Sequence, residues 1–570
     1  MACVGIMDCY AVDAGSPAMP SGCADIIDCD ATDAGSSAAS PGAADAICAV
    51  DATCFAEITP DGAFIITTAA QLADIQRLGG DYLKAAYVLG GDIILPPGWI
   101  PIGSSSSDSA FSDSAFRGSF DGKGHTIHGL AIENKPWAAQ GLFGRLDGAV
   151  ICDLVLEDGR ISLVGGTNTG LLAGEAHNSS ITDVRVSGRI GTGRISGYGV
   201  AESAAYTTDA IGDMDTIGAI GGLISDMTTT DAIGGLVGRM HKCVVERVFA
   251  DVEISTGNYV GGVVGFSADT DFSYITTGDR PLTGRIAGGF AGRMEGAGLV
   301  HECHAKAAVS GCIVGGLVGQ ISGNPLANNT NHLLEIVQCS ASGKVVAADI
   351  AGGFVGDGEY VLVKDSYAQG DVQGDVISGG FVGRLSSRSR VAYSHALGDV
   401  VLVVSGAAGG FVGEITNASC IEFAYSAGSV MAEDYVEAFH GLGYGNAGNG
   451  KNTNNNTDAK YASGALGGFA GVITASDAPN TLTHCLSFAP WVVGPGEYYV
   501  NRFAGRIDHN GINGCYAHLG SMVVQGGILA HVLPSAYGPD GADMSSEQVE
   551  GVAERLGWKQ SIYVNNIASP

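Results

Sequence analysis

The chain of 570 residues contains 89 glycines, more than its 28 basic and 59 acidic side chains together. It is 46% hydrophobic and only 15% charged, which argues against intrinsic disorder, and its 16 prolines are too few for collagen. The net charge of −31 argues against a nucleic-acid partner, and the lack of a long apolar stretch argues against a membrane span. This charge favours repulsion between copies and loose binding of Ca²⁺ between surface carboxylates.

Residues 1–60 form a cysteine-rich module with three pairs of cysteines, each pair separated by five residues. We expect three loops closed by disulfides, because a segment with so few large apolar residues cannot bury a core. Zinc binding is the weaker alternative, since zinc-binding pairs usually have a shorter spacing. The candidates for disulfides and for cross-links between chains are Cys3, Cys9, Cys23, Cys29, Cys48 and Cys54.

Disulfides in this module would indicate an oxidising, extracellular location. Met1 is followed by neither the basic stretch nor the apolar core of a signal peptide. We therefore expect export either with a leader that has been removed or by another route.

A repeat fills residues 141–535. A Gly-Gly-apolar-apolar-Gly block recurs at steps of 27, 27, 27, 37, 27, 30 and 58 residues. A fixed period of this size, with β-branched residues and abundant glycine, predicts an all-β, single-stranded β-helix with coils of about 27 residues. We expect the paired glycines to permit unusual backbone conformations at coil corners and to let coils stack closely. The blocks begin at Gly234, Gly261, Gly288, Gly315, Gly352, Gly379, Gly409 and Gly467.

Short capping helices are predicted at both ends of the solenoid, because an uncapped end would expose strand edges and core. Thr68 and Gln71 form a capping-box pattern near the start, and Ser545 and Gln548 form another near the end. Besides the module and the solenoid, the predicted segments are a lead-in with the N-terminal cap at 61–140, inserted loops at 191–233 and 440–460, and a C-terminal cap at 536–570.

The repeat resembles the GLUG motif, a Gly-Gly-Leu-Val-Gly block followed by a Cys-Tyr-Ala-like block. The lead-in is similar too, with IITTAAQLADIQRL from Ile65 and FRGSFDGKGHTIHGLAI from Phe116. The resemblance covers residues 64–535. It implies a β-solenoid of the kind found in secreted bacterial and archaeal surface proteins, in adhesins, and beside the catalytic domain of IgA-specific metallopeptidases.

His301-Glu302-Cys303-His304 is the densest cluster of metal-ligand residue types. On a strand, His301 and Cys303 would face one side and the other two residues the opposite side. Because Cys303 aligns with small residues of other copies, we favour an inward-facing ladder over a metal site. The aligned residues are Cys339, Ser366, Ser394 and Cys515.

His125 and His128 lie beside a predicted turn at Asp121–Gly122, where a structural role outweighs catalysis. The chain has no His-Glu-x-x-His run, and no Gly-x-Ser-x-Gly nucleophile elbow is placed with a histidine and an acid. We therefore expect no catalytic residue, no resident metal or cofactor, and no enzymatic activity.

Arg239, Arg293 and Arg384 each follow a glycine block directly, with Glu414 at the same place one coil later. Stacking of successive coils would align these four residues on one face of the solenoid, as charged residues are aligned in glycan-active β-helix enzymes. We favour a surface ladder, because no partner carboxylates are evident at matching offsets. Four Asn-x-Ser/Thr sequons are candidates for glycosylation, and they lie at Asn178, Asn328, Asn417 and Asn455.

The leading hypothesis is an extracellular structural protein, a self-assembling and disulfide cross-linked subunit of a cell-surface layer, sheath or filament, whose main partner is a second copy of itself. The first alternative is an adhesin that binds a glycan or another surface protein through solenoid loops. The second alternative is a glycan-active β-helix enzyme.

Overall fold

The backbone winds into successive coils whose strands pair in parallel with the same strands of the next coil. In a computed structural model, 44 strands of the described residues join edge to edge in one sheet and 11 in a second. Gly261 pairs with Gly288 and Gly288 with Gly315, so one coil measures 27 residues there. The predicted β-solenoid is confirmed.

The structure describes residues within one compact unit, Ala52–Pro570. The six cysteines of the N-terminal module lie outside the described residues, as do two of the four sequons (Asn328 and Asn455), the loop 440–460 and nearly all of 191–233. The described residues are 57–104, 114–133, 138–163, 168–192, 231–324, 334–435, 464–474, 479–508 and 511–545, together with Phe55 and Gln548.

The lead-in already pairs with the solenoid, since Ser119 lies beside Val150, and within the lead-in Phe64 lies beside Tyr87. Its helix and strands are α1 (Ala69–Leu78), a 3-10 helix (Gly80–Lys84), β1 (Phe64–Ile66), β2 (Ala86–Leu89), β3 (Ile93–Ile94), β4 (Ser119–Asp121), β5 (Thr126–His128) and β6 (Ala131–Glu133).

Each coil begins after the Gly-Gly turn with a post-turn strand, and the post-turn strands form the smaller sheet. They are β8 (Phe143–Asp147), β11 (Ala173–His177), β14 (Val237–His241), β18 (Val264–Ala268), β22 (Ala291–Gly296), β26 (Val318–Gly323), β30 (Val355–Glu359), β35 (Val382–Ser386), β40 (Val412–Ile415), β45 (Ala470–Ile473) and β50 (Ala504–Ile507).

The next strands of each coil belong to the larger sheet and lead up to a corner of the coil, and we call them pre-corner strands; the strands after that corner are the post-corner strands. The pre-corner strands are β15 (Val244–Glu246), β19 (Asp271–Ser273), β23 (Gly298–His301), β27 (Leu334–Val337), β31 (Val361–Lys364), β36 (Arg390–Ala392), β41 (Cys420–Glu422), β46 (Thr481–Thr483) and β51 (Ile512–Asn513). The post-corner strands are β20 (Thr276–Thr277), β24 (His304–Ala305), β28 (Ser340–Ala341), β32 (Tyr367–Ala368), β37 (His395–Ala396), β42 (Tyr425–Ser426), β47 (Leu486–Ser487), β52 (Tyr516–His518) and β55 (Ala542–Met544).

The coil closes with third-face strands and with pre-turn strands, and some long strands span two of these positions. The third-face strands are β33 (Val372–Gly374), β38 (Val400–Leu402), β43 (Val430–Ala432), β48 (Trp491–Gly494), β53 (Met522–Gln525) and β54 (Ile528–Leu529), with a 3-10 helix at Glu433–Tyr435. The pre-turn strands are β7 (Ala139–Gln140), β10 (Asn168–Thr169), β13 (Ala232–Gly234), β17 (Tyr259–Gly261), β34 (Ile377–Gly379), β39 (Ala407–Gly409), β44 (Ala465–Gly467) and β49 (Tyr499–Asn501). The long strands are β9 (Val150–Ser162), β12 (Ser180–Gly191), β16 (Phe249–Ile254), β21 (Leu282–Gly288), β25 (Val309–Gly315) and β29 (Val345–Gly352).

A column of aromatic rings fills part of the core. Five phenylalanines at the first apolar position of the glycine block are fully buried, and successive ring centroids lie 4.6, 4.8, 4.9 and 5.0 Å apart. Such stacks add to the stability that burial of the rings supplies. The stacked residues are Phe354, Phe381, Phe411, Phe469 and Phe503.

The paired glycines are needed for close approach between coils. A Cβ atom on Gly353 would lie 2.1 Å from the Gly380 carbonyl oxygen, and one on Gly380 would lie 2.1 Å from that of Gly410. Neither glycine has a positive φ. The prediction of close stacking is confirmed, whereas the prediction of unusual glycine conformations is wrong for these pairs.

Left-handed backbone instead occurs at the corner between pre-corner and post-corner strands, where it belongs to residues other than glycine except at Gly514, whose φ is 61°. We call these residues the corner column, and their φ values lie between 51° and 57°. Their side chains project at the corner with varied chemistry, so this position carries no glycine signal. The corner column comprises Asp153, Asp183, Arg247, Tyr274, Glu302, Gln338, Asp365, Tyr393, Phe423 and His484.

The N-terminal cap has the predicted capping box. The Gln71 amide donates to Thr68 Oγ1 at 3.3 Å, and the Thr68 amide donates to Gln71 Oε1 at 3.1 Å. At the other end, the Ser545 amide donates to Gln548 Oε1 at 2.9 Å. The residues after Gln548 lie outside the described part of the chain. Within that part, no helix is long and apolar enough to cross a membrane.

Candidate functional site

In each coil, the residue that directly follows the corner-column residue points its side chain into the core. Cys303 is fully buried, and its amide donates to Cys339 Sγ at 3.3 Å. Burial raises the pKa of the Cys303 thiol, which disfavours the thiolate that metal binding and nucleophilic attack require. The predicted inward ladder of small residues is confirmed. In register it contains Cys303, Cys339, Ser366, Ser394, Ala424, Cys485 and Cys515.

The predicted orientation of the histidines around Cys303 is wrong. β23 ends at His301 and β24 begins at His304, with Glu302 in the left-handed conformation between them. His301 therefore does not share the inward side of Cys303, and its Nε2 atom lies 2.8 Å from Gln338 Oε1. His304 Nδ1 lies 2.8 Å from Ser340 Oγ. Both histidines therefore contact side chains of the next coil and do not contact each other.

The histidines of the lead-in also contact separate partners. His125 Nδ1 lies 3.3 Å from Asp92 Oδ1, and His128 Nδ1 lies 3.6 Å from Glu157 Oε2. Asp121 Oδ1 accepts a hydrogen bond of 2.9 Å from the Lys123 amide, as the predicted turn requires. These contacts fit the structural role predicted for this segment.

The arginines that follow the glycine blocks align in one column on the post-turn strands, which we call the polar column. Glu175 pairs in register with both Arg145 and Arg239, and Asp357 pairs with Arg384. The prediction that no partner carboxylates recur at matching offsets is therefore wrong. The polar column runs Arg145, Glu175, Arg239, Phe266, Arg293, Gln320, Asp357, Arg384, Glu414, Val472 and Arg506.

Neighbours in the polar column contact each other. Arg145 Nε lies 3.1 Å from Glu175 Oε2, and both side chains are only 8% exposed. Arg384 Nε lies 3.2 Å from Glu414 Oε2, whose side chain is also buried. Burial raises the pKa of Asp357, and the charge of Arg384 opposes this rise. The column is thus a row of side chains engaged with their own neighbours.

An open depression of about 380 Å³ lies across three successive coils at the corner. Arg247 there forms two hydrogen bonds with the Asp183 carboxylate, at 2.7 and 2.8 Å. The Arg185 guanidinium lies 4.8 Å from the centroid of the Phe249 ring. The lining residues are Asp183, Arg185, Arg247, Val248, Phe249, Tyr274 and Thr276.

Two aromatic stacks lie near the corner in later coils. Rings of the corner column stack at 5.2 and 5.3 Å, with Phe423 between Tyr393 and His484. His395 lies between Tyr367 and Tyr425, at 5.2 and 4.7 Å. Tyr393 is 42% exposed, so the first stack presents aromatic surface to solvent.

Among the described residues, no group of three His, Cys, Asp or Glu side chains is placed to hold a metal ion. Cys152 is disulfide-bonded, whereas Cys243, Cys303, Cys312, Cys339, Cys485 and Cys515 are free thiols. Asn178 and Asn417 are exposed, so both sequons are accessible to a glycosylating enzyme.

His395 is expected to destabilise the solenoid in acid. Burial lowers its pKa to about 4, from 6.5. A group with a lowered folded-state pKa binds more protons when unfolded, so stability falls as the pH drops from 6.5 towards 4. At pH 4.5 this loss of stability is roughly 2 to 3 kcal/mol relative to pH 7.5. Urea unfolding should show a smaller acid loss in His395→Phe, and an equal loss would contradict the assignment.

Asp375 is expected to act with the opposite sign. Burial, with the nearby charges of Glu433 and Asp349, raises its pKa to about 6, from 3.8. Stability is therefore lost as the pH rises from 3.8 through 6. Asp375→Asn should stabilise the protein by about 2 kcal/mol at pH 7.5, less than the full pKa shift implies because solvent screens this partly exposed carboxyl, and little at pH 4, as measured by urea unfolding. The exposed Asp279→Asn is the control, and an equal gain there would count against this account.

Comparisons with known proteins give partial similarities. No protein-family model matches the chain. A stretch of 122 residues, 21% of the chain, is 35% identical to Halomucin from Haloquadratum walsbyi, and the chain spans about 1% of that protein's length. A crystal structure of a candidate immunoglobulin A1 protease from Bacteroides ovatus is similar over 89% of this chain and 91% of that one, with 13% identity and a TM-score of 0.20. Another solved structure, named IgA1 protease, is similar over 64% of this chain and 22% of that one, with 14% identity and a TM-score of 0.28.

Both solved structures are named as proteases. The prediction that the chain is not an enzyme is therefore contradicted and is withdrawn. With TM-scores this low, the two structures identify neither a reaction nor a substrate for this chain.

Proposed function

We propose that the chain is an extracellular structural protein, a subunit of a cell-surface layer, sheath or filament that self-assembles and is cross-linked by disulfides. The continuous stack of coils carries this proposal, since parallel pairing runs from Phe64 to Met544. Such an array forms an elongated body that repeats the same side-chain columns along its surface.

Three further observations support this role. The repeat resembles the GLUG motif of surface proteins, and part of the chain is similar to Halomucin. The disulfide of Cys152 supports an oxidising compartment. The net charge of −31 opposes contact between copies, so we expect covalent bonds or cations such as Ca²⁺ between carboxylates to offset the repulsion.

The cross-linking proposal is tested on material from its native source. Gel electrophoresis without reductant should show multimers that collapse to a single monomer band when reductant is added. Alanine at all six N-terminal cysteines should remove the multimers. Monomers in both lanes would exclude the covalent form of the proposal.

Adhesion to a glycan or protein partner is a second candidate function. The stacked, partly exposed rings of Tyr393, Phe423 and His484 favour it, because aromatic surface is common at binding sites. Deleting residues 446–457 and 193–230, which spares strands β12 and β13, should abolish binding through the loops and leave assembly intact. Full binding by the deleted protein would exclude recognition by those loops.

A further inference from the structure

The depression at the corner lies between two columns of side chains. One side of the depression is formed by Asp183, Arg247 and Tyr274 of the corner column. The opposite side is formed by the residues that lie two positions later in each coil. The buried Val248 forms the floor between the two columns. The opposite side, in register, consists of Arg185, Phe249 and Thr276. The result is a short, open concave surface with an apolar floor and with walls of mixed charged, polar and aromatic side chains.

The two arginines of the depression differ in their partners. Arg247 is held by two carboxylates, since its Nη1 atom also donates to Glu246 Oε2 at 3.0 Å beside its pair of bonds with Asp183. Arg185 is exposed, makes no ion pair with any described residue, and rests on the Phe249 ring. Contact with the ring holds the guanidinium flat and leaves its N–H donors free for a ligand.

The Tyr274 ring supplies an apolar surface beside this donor. Tyr274 is 51% exposed although it belongs to the corner column. The His301 ring meets it edge-on, with the centroids 5.7 Å apart, and so supports the ring from the next coil. An exposed, supported aromatic ring suits the apolar face of a pyranose, and the Thr276 hydroxyl and the Asp183 carboxylate suit its hydroxyl groups.

We propose that this depression binds the uronic acid unit of an acidic glycan. The sugar carboxylate accepts hydrogen bonds from Arg185, and the sugar ring lies on Tyr274. A carboxylate is favoured over a neutral sugar because the exposed Arg185 guanidinium makes no ion pair with any described residue, and this local attraction has to exceed the repulsion from a protein whose net charge is −31. This binding is independent of the assembly proposed above.

The test compares uronic acid oligosaccharides with their carboxyl-reduced, neutral forms. Isothermal titration calorimetry on the full chain, with oligomers of glucuronic, mannuronic and galacturonic acid, should find at least one acid form that binds about tenfold more tightly than its reduced form. That preference should shrink as salt is added. If no acid form is preferred, the proposal is wrong.

Two arginine variants locate the site. Arg185→Gln should remove the preference for the acid form while leaving the unfolding midpoint unchanged, because the side chain is exposed. Arg189→Gln is the matched control on the same strand, since Arg189 is exposed and pairs with Glu253 at 2.7 Å. It should keep the full preference.

A ring variant tests the stacking contact. Tyr274→Ala should weaken the acid and the reduced forms alike. An acid preference that persists in Arg185→Gln, or that is lost equally in Arg189→Gln, would overturn the assignment. Assembly is measured separately on the same variants, so that failure of this site and failure of the structural role are distinguishable.

Discussion

Replacing Gly353 with alanine is expected to lower the free energy of unfolding by about 4 kcal/mol or more, in the range of the largest single-residue effects. The added Cβ would lie 2.1 Å from the Gly380 carbonyl oxygen. Relief requires the two coils to separate, which breaks the 3.0 Å hydrogen bond from the Gly353 amide to the Gly379 carbonyl. Urea unfolding followed by circular dichroism measures the loss.

Gly358 offers a matched control on strand β30 of the same repeat. A Cβ there would meet its nearest atoms at 3.4, 3.5 and 3.7 Å, which are ordinary contacts, and the residue has no positive φ. Gly358→Ala should change stability by less than about 1 kcal/mol, with a contribution in its favour from the less flexible unfolded chain. Equal losses in the two variants would show that the coils do not approach as closely as described.

Replacing Phe411 with alanine is the second change with a large expected effect, and it should lower the free energy of unfolding by about 4 kcal/mol. The ring is fully buried and stacks on Phe381 at 4.8 Å and on Phe469 at 4.9 Å. Its removal loses both the buried surface and two ring contacts, and it leaves a cavity that rigid coils cannot close. The same unfolding experiment measures this loss.

Tyr393 is the control for the aromatic stack. It stacks on Phe423 at 5.2 Å, much like the buried rings, but it is 42% exposed. Tyr393→Ala should cost less than about 1.5 kcal/mol, since little burial is lost. If Tyr393→Ala were as costly as Phe411→Ala, burial would not be the source of the stability of the core column.

The sequence was sufficient to predict the solenoid and its inward ladder, because both follow from spacing alone. Cys303 and Cys339 stand at the same place in the repeat, and parallel pairing without a shift then stacks them. Two carboxylates of the polar column, Glu175 and Asp357, were missed although each directly follows its block. Glu175 follows a block that lacks the second glycine, whereas Asp357 was open to simple alignment.

The corner could not be predicted from the sequence. Its left-handed residues include Tyr274, Glu302 and Gln338, which share no side-chain chemistry. A period-2 alternation was therefore assumed through Glu302, and it placed His301 on the wrong side. The depression could not be predicted for the same reason, since its walls come from corner residues of three successive coils.

Electron microscopy of the purified full chain tests the proposed structural role most directly. Under oxidising conditions with Ca²⁺ present, we expect filaments or a two-dimensional lattice that dissociates when reductant or chelator is added. Particles that remain single solenoids under every condition would contradict the proposed role, and so would an assembly indifferent to both reductant and chelator.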